Sequence, residues 1–314
     1  MILDLLKRLP GALGRYVFYR TRRLLAMRTP SNPVQKAATT GLPGNSKGLD
    51  EAYLTTASWP VYRKTSVPPE LSNDPLFQLW AKTRGGTKWS HYFSVYREVF
   101  GHLTDLPLRI LEIGVYQGAS LDLWKKYFTH PETIIVGIDI EPACARLDSL
   151  SAGKRVRIGS QTDLAFLTAV VREFGPFDLI IDDGSHRTSD VIQSFNHLFS
   201  SGLKDSGIYF VEDLHAGYWS DWRNTERTFL DVCLELVEIM HTHYKIAGPE
   251  TLFAASPPDH IIEVIDVPRI TTMIREIRFF DSMVAIHKAQ NDYVPFAIWM
   301  DNQRGIDWVT SQLP

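Results

Sequence analysis

Phe177-Asp178-Leu179-Ile180-Ile181-Asp182-Asp183-Gly184-Ser185-His186 is the stretch from which the rest of the chain is read. Its apolar run matches a central parallel strand covered on both faces, and Gly184 lets the backbone turn sharply at its end. The residues at that turn are of ligand type: Asp183 and His186 stand three apart, so both can face one crevice beyond the sheet. Downstream, Gly207-Ile208-Tyr209-Phe210-Val211 reads as a second strand and ends in Glu212-Asp213. Ligands of open α/β sheets sit outside the carboxyl ends of the strands, so two neighbouring strands ending in acids mark a site. On that logic Asp183, Glu212 and Asp213 are read as ligands of a divalent metal, with His186 as the general base beside it.

With 44% hydrophobic and 22% charged residues among 314, the chain has the balance of a folded protein able to bury a substantial core. A net charge of -3 gives no drive towards nucleic acid. Cys144 and Cys233 form no CxxC pair or zinc pattern, so free structural thiols and a reducing cytoplasm are expected. Residues 1–28 differ from this average: Lys7, Arg8, Arg15, Arg20, Arg22, Arg23 and Arg28 face a single acid, Asp4, and leucines recur at helical intervals. No apolar run approaches the ~20 residues of a spanning helix, and basic residues interrupt the place of a signal peptide's apolar region. Such a segment can lie peripherally on an anionic inner-membrane surface, or dock on its own domain or a second subunit of a homo-oligomer.

The chain divides by composition into a basic N-terminal segment and linker (1–50), an extension or lid (51–107), a sheet domain (108–290) and a tail (291–314). Lys88 and His91 precede the first strand, where an element can cover a cofactor, and are carried as substrate-side candidates. Leu108 to Gly114 is a strand, and Gly114 and Gly118 bracket a turn into a helix, where glycine lets a ligand approach the backbone. Asp139 ends the next strand about 20 residues on, placed to accept hydrogen bonds from ribose hydroxyls. After a third strand, Gln161 and Asp163 either contact an adenine edge or, at Thr162-Asp163, cap a helix. Asp182 is either structural or near the cofactor. His215, Tyr218 and Trp219 suit the wall of a substrate pocket. A helix is expected over Thr225–Thr242, a short strand over Ile261–Val267, and an antiparallel strand pair meeting near Asp281.

Taken together, Glu112-Ile-Gly114-Val-Tyr-Gln-Gly118, Gly137-Ile-Asp139, Gly159-Ser-Gln161-Thr-Asp163, Asp182-Asp183-Gly-Ser-His186 and Val-Glu212-Asp213 form a pattern. It resembles the class I S-adenosylmethionine-dependent methyltransferases, and within them the metal-dependent sugar O-methyltransferases of macrolide biosynthesis, the mycinamicin and macrocin types. The resemblance implies a Rossmann-like α/β sheet, mostly parallel with an antiparallel C-terminal strand pair. It implies that Asp183, Glu212 and Asp213 bind magnesium, that His186 takes the proton from a sugar hydroxyl, and that Glu112, Gly114, Gly118, Asp139 and Gln161 line the cofactor site. Candidate acceptors are small-molecule or glycolipid sugars.

The chemistry is coherent without the family name. Oxygen ligands suit a hard cation, which lowers the pKa of a poorly nucleophilic hydroxyl, and an imidazole accepts a proton near neutral pH. Competing expectations are methylation of a non-sugar metabolite, a nicotinamide oxidoreductase, whose fold also wants glycines and a spaced acid, and a non-catalytic scaffold at a membrane surface.

Overall fold

The computed structural model describes residue 57 and residues 66–83, 85–248, 264–291 and 294–295. The fold is that of the second of two units, Thr65–Pro314. The basic segment 1–28, its linker, and Trp299 and Trp308 of the tail lie outside the described residues.

Short helices α1 (Pro69–Ser72) and α2 (Pro75–Trp80) lead to α3 (Tyr92–Phe100). Proline opens both short helices, where its missing N–H costs nothing, and Asp74 caps α2 by accepting from Leu76 and Phe77. The sheet domain then alternates: β1 (Arg109–Ile113), α4 (Ala119–Tyr127), β2 (Ile134–Asp139), β3 (Lys154–Ile158), α5 (Leu164–Phe174), β4 (Phe177–Asp182), α6 (Thr188–Ser201) and β5 (Leu203–Val211). After α7 (Phe229–Met240), α8 (Thr242–Ile246) and α9 (Arg269–Met273), β6 (Ile274–Phe280) and β7 (Met283–Lys288) close the domain.

The strand order is β3-β2-β1-β4-β5-β7-β6. Strands β1 to β5 are parallel, and β7 runs antiparallel to both β5 and β6, so β7 is the one reversed strand. Register decides the site. Ile113 pairs with Ile138 and Asp182, and Asp182 pairs with Val211. Asp139, Gly114, Asp183 and Glu212 therefore stand side by side at the carboxyl ends, held by backbone bonds Gly114 N to Ile138 O, Asp183 N to Ile113 O and Glu212 N to Asp182 O.

Period-two alternation in the strands feeds two cores. Ile208 and Phe210 of β5 join Tyr96, Phe100 and Trp124 on one face, while Tyr209 and Val211 join Phe195 and Phe229 on the other. Because α3 buries Tyr92, Phe93, Tyr96, Val99 and Phe100 in the same cluster as β1 and β4, it is built into the sheet's cover.

Two elements differ from expectation. The helix expected from Thr225 starts at Phe229, because Thr228 forms a capping box with Asp231, and it breaks at His241 before α8. Residues 264–268 form no strand, and Ile261 lies outside the described residues; Pro268 instead leads into α9.

Candidate active site

The turn after β4 is held from below. Asp182 is 1% exposed and accepts from Ser194 Oγ at 2.7 Å and Tyr209 Oη at 3.3 Å. Burial pushes its carboxyl up to about 6, with the Ser194 hydrogen bond opposing. Gln161 donates towards Asp182, at 3.3 Å, and its Oε1 accepts from Ser185 N at 2.8 Å. Gln161 and Asp182 thus fix the loop that carries Asp183 and His186.

Four non-glycine residues at this end of the sheet adopt left-handed backbone: Tyr116 at φ 51°, His186 at φ 56°, Asp213 at φ 55° and Ser282 at φ 67°. Each such conformation costs on the order of 1–3 kcal/mol and persists only where the surroundings impose it. His186 Nε2 lies 3.7 Å from Asp183 Oδ1 and 3.7 Å from Asp213 Oδ2. One ligand atom from each of the three falls within 4.8 Å of the others, and all three side chains are only partly buried.

Glu212 sits deeper. It is 2% exposed, its Oε2 accepts from Lys88 Nζ at 2.5 Å, and its Oε1 has no hydrogen-bond partner. Burial pushes its pKa up, with the lysine opposing. Lys88 also donates to Asp183 Oδ2 at 2.7 Å; burial disfavours its charge, but Asp183 and Glu212 outweigh that and hold its pKa well above the usual lysine value. The chemistry of this donor set, oxygen-rich and including a buried orphan oxygen, fits a hard divalent cation.

Lys88 therefore faces carboxylates within the site. His91 bonds through Nε2 to Asp281 O at 3.0 Å, at the β6–β7 turn. Two residues that sequence reasoning missed complete the network. Tyr92 Oη donates to Asp213 Oδ1 at 2.5 Å and lies 3.2 Å from Ser282 Oγ, and His215 Nδ1 lies 2.5 Å from Ser282 Oγ. An aromatic opening an apolar helix reads as packing, so Tyr92 gave no signal; Ser282 was visible only as part of the hairpin.

In the turn after β1, Gly114 (φ 94°) and Gly118 (φ 85°) occupy conformations that favour glycine, and Gly118 immediately precedes α4. Asp139 Oδ2 accepts from Val115 N and Tyr116 N, each at 2.8 Å, and its Oδ1 from Glu141 N at 2.8 Å, so it ties the glycine turn to β2. Asp163 caps α5 through Ala165 N and Phe166 N. Glu112 is fully buried, accepts from Trp124 Nε1 at 3.1 Å and leaves Oε2 without a partner; burial raises it to about 7. Beside this turn Tyr116 is 44% and Ile140 57% exposed, apolar surface of the kind a nucleoside covers. A Cβ on Gly85 would strike the Gln117 side chain and one on Gly86 would press on Ala119, so the segment before α3 crosses over the turn.

An aromatic rim borders the acids. Trp89 meets His215 edge-on at 5.4 Å, His215 meets Trp219 at 4.6 Å, and Trp219 meets Trp222 at 5.4 Å. Tyr218 and Trp219 lie at the end of the 3-10 turn Leu214–Tyr218, and both are exposed, as is Trp89. Burial lowers the His215 pKa, with Asp213 opposing. A wider hollow lined by Leu164, Ser189, Ile192, Gln193, Asn196 and His197 holds no carboxylate and lies apart from the acids.

This sheet order, with β7 reversed beyond β5 and a glycine turn after β1, is the class I methyltransferase fold. The solved structure of MycE methyltransferase, described in complex with Mg, SAH and mycinamycin VI, superposes with a TM-score of 0.55 at 25% identity, covering 72% of this chain and 57% of that one. No family model matches the chain. Its sequence is related to those of sugar O-methyltransferases. It is 32% identical over 211 residues to an 8-demethyl-8-(2-methoxy-alpha-L-rhamnosyl)-tetracenomycin-C 3'-O-methyltransferase of Streptomyces olivaceus, covering 61% of this chain and 50% of the relative. It is 34% identical over 186 residues to an L-olivosyl-oleandolide 3-O-methyltransferase of Streptomyces antibioticus, covering 53% and 45%. The chain spans about half the length of these relatives.

Proposed function

We propose that the protein is an S-adenosylmethionine- and Mg2+-dependent O-methyltransferase acting on a hydroxyl of a sugar or glycosylated natural product. The observation that carries this reading is the convergence of Asp183, His186 and Asp213 at the open ends of β4 and β5, beside the glycine turn. Relatives that methylate glycosylated natural products, and the MycE complex with Mg and SAH, support it.

Asp183 and Asp213, with the orphan oxygen of Glu212, would hold the cation; Gly114 and Gly118 would admit the cofactor against the backbone. When bound, Mg2+ lowers the pKa of the acceptor hydroxyl and S-adenosylmethionine supplies the methyl group. His186 Nε2 would take the proton of the acceptor hydroxyl, a contribution of about 10²–10⁴ in rate. Trp89, Tyr218 and Trp219 would give the apolar face of a sugar ring an exposed aromatic surface beside that point.

No helix among the described residues is long and apolar enough to cross a membrane. The enzyme is read as cytoplasmic and homo-oligomeric, and contact of residues 1–28 with an inner-membrane surface rests on sequence pattern alone. The test is a methyl-transfer screen over glycosylated and non-glycosylated hydroxyl acceptors, with Mg2+ and with chelator, read by mass spectrometry. A gain of one methyl group on a sugar, abolished by chelator, is expected; transfer only to non-sugar acceptors, or undiminished by chelator, overturns the reading.

A further inference from the structure

Each of the three strand-end carboxylates has one oxygen engaged by a partner from the segment before or at the start of α3. Asp183 Oδ2 accepts from Lys88 Nζ at 2.7 Å, while its Oδ1 lies 3.7 Å from His186 Nε2. Glu212 Oε2 accepts from the same ammonium at 2.5 Å, while its Oε1 is buried and unpartnered. Asp213 Oδ1 accepts from Tyr92 Oη at 2.5 Å, while its Oδ2 lies 3.7 Å from His186 Nε2. The donors cannot easily yield: the Lys88 side chain is 7% exposed, and Tyr92 is 1% exposed with its ring edge-on to His91.

We infer that Lys88 and Tyr92 are positioning residues that leave Asp183, Glu212 and Asp213 one free oxygen each, and so make the site select a small octahedral cation such as Mg2+ over Ca2+. The inference rests on the metal reading of the proposed function. Ca2+ takes about 6–8 oxygens at about 2.3–2.6 Å and can fill that larger shell with bidentate carboxylates, whereas Mg2+ takes six at about 2.0–2.1 Å and keeps several waters. A carboxylate with one oxygen tied down offers a single ligand atom, which starves the larger ion. Outer partners of this kind commonly govern metal affinity by about 10–100-fold. Because both ions carry the same charge, their affinity ratio reports ligand geometry and cancels the electrostatic effect of removing the lysine.

The experiment monitors Mn2+ bound to the full chain with S-adenosylhomocysteine present, by electron paramagnetic resonance, and displaces it with Mg2+ or Ca2+. Tyr92→Phe removes one hydroxyl and keeps the ring; Lys88→Met removes the ammonium and keeps the stem. The Ca2+-to-Mg2+ affinity ratio is expected to rise about tenfold or more in Tyr92→Phe, and in Lys88→Met where it folds, with S-adenosylhomocysteine affinity and melting temperature of Tyr92→Phe close to the parent's. A smaller rise in Tyr92→Phe overturns the inference. A parent chain that binds no Mn2+ overturns the metal reading as well, which separates the two failures.

Discussion

A Cβ on Gly114 would collide with the carbonyl oxygen of Asp183, because the turn after β1 and the turn after β4 meet backbone to backbone. Gly114 also sits at φ 94°, where an L side chain is strained whatever the space. The glycine turn and the turn that carries Asp183 are thus one construction. Gly114→Ala is expected to lower stability by about 2–4 kcal/mol and to weaken S-adenosylhomocysteine binding, since the Asp183 loop must shift to admit a methyl group. Urea unfolding and a cofactor-analogue titration check it; a parent-like result in both would mean that the two turns move independently.

Glu112 ties stability to pH. Its carboxyl is fully buried and stands at about 7, against an ordinary 4.5. A folded-state pKa above the unfolded one means stability is fully present below about pH 4.5 and is lost as pH rises through about 7. The loss is on the order of 3 kcal/mol. Glu112→Gln keeps the acceptor for Trp124 and cannot ionise, so its stability relative to the parent should improve between pH 5 and pH 8. Denaturant unfolding of both proteins at the two pH values measures it, and a constant difference would show that Glu112 does not titrate in this range.

The central strands β1, β2 and β4 and the second half of β5 were legible because each is an apolar run that ends against glycine or an acid, and register then aligns Asp139, Gly114, Asp183 and Glu212. Helix starts were less so: one threonine chooses between Thr225 and Phe229, and that choice depends on where Asp231 folds back. Lys88 was the hardest to read. Its partners Asp183 and Glu212 lie 95 and 124 residues away, so nothing local distinguishes a buried ion-paired lysine from one reaching for substrate. For Asp163 the local reading of a helix cap was the one the structure adopts, since its carboxylate oxygen accepts from the first turn of α5.

His186 carries the proton-transfer assignment. His186→Gln keeps a polar side chain but removes the ring that accepts a proton, and should slow methyl transfer by about 10²–10⁴. Cofactor-analogue binding should stay within a few-fold, because Gln161 and Asp182, which brace the loop, are untouched. Full methyl transfer by this variant would remove His186 from the proposed chemistry.

Trp219 tests the acceptor class separately from the chemistry. Its ring leans on His215 and Trp222 yet remains 46% exposed, so it contributes area to the rim without closing a core. Truncating a half-exposed ring costs far less stability than emptying a buried site, and the binding surface it offers a sugar face is what is lost. Trp219→Ala is therefore expected to raise the acceptor KM about five- to tenfold, the equivalent of about 1 kcal/mol, with kcat nearly unchanged, the signature of lost uniform binding. The split matters more than the size: a fall in kcat at constant KM would place Trp219 in positioning the reacting hydroxyl, and no change in either would move the acceptor to another wall of the site.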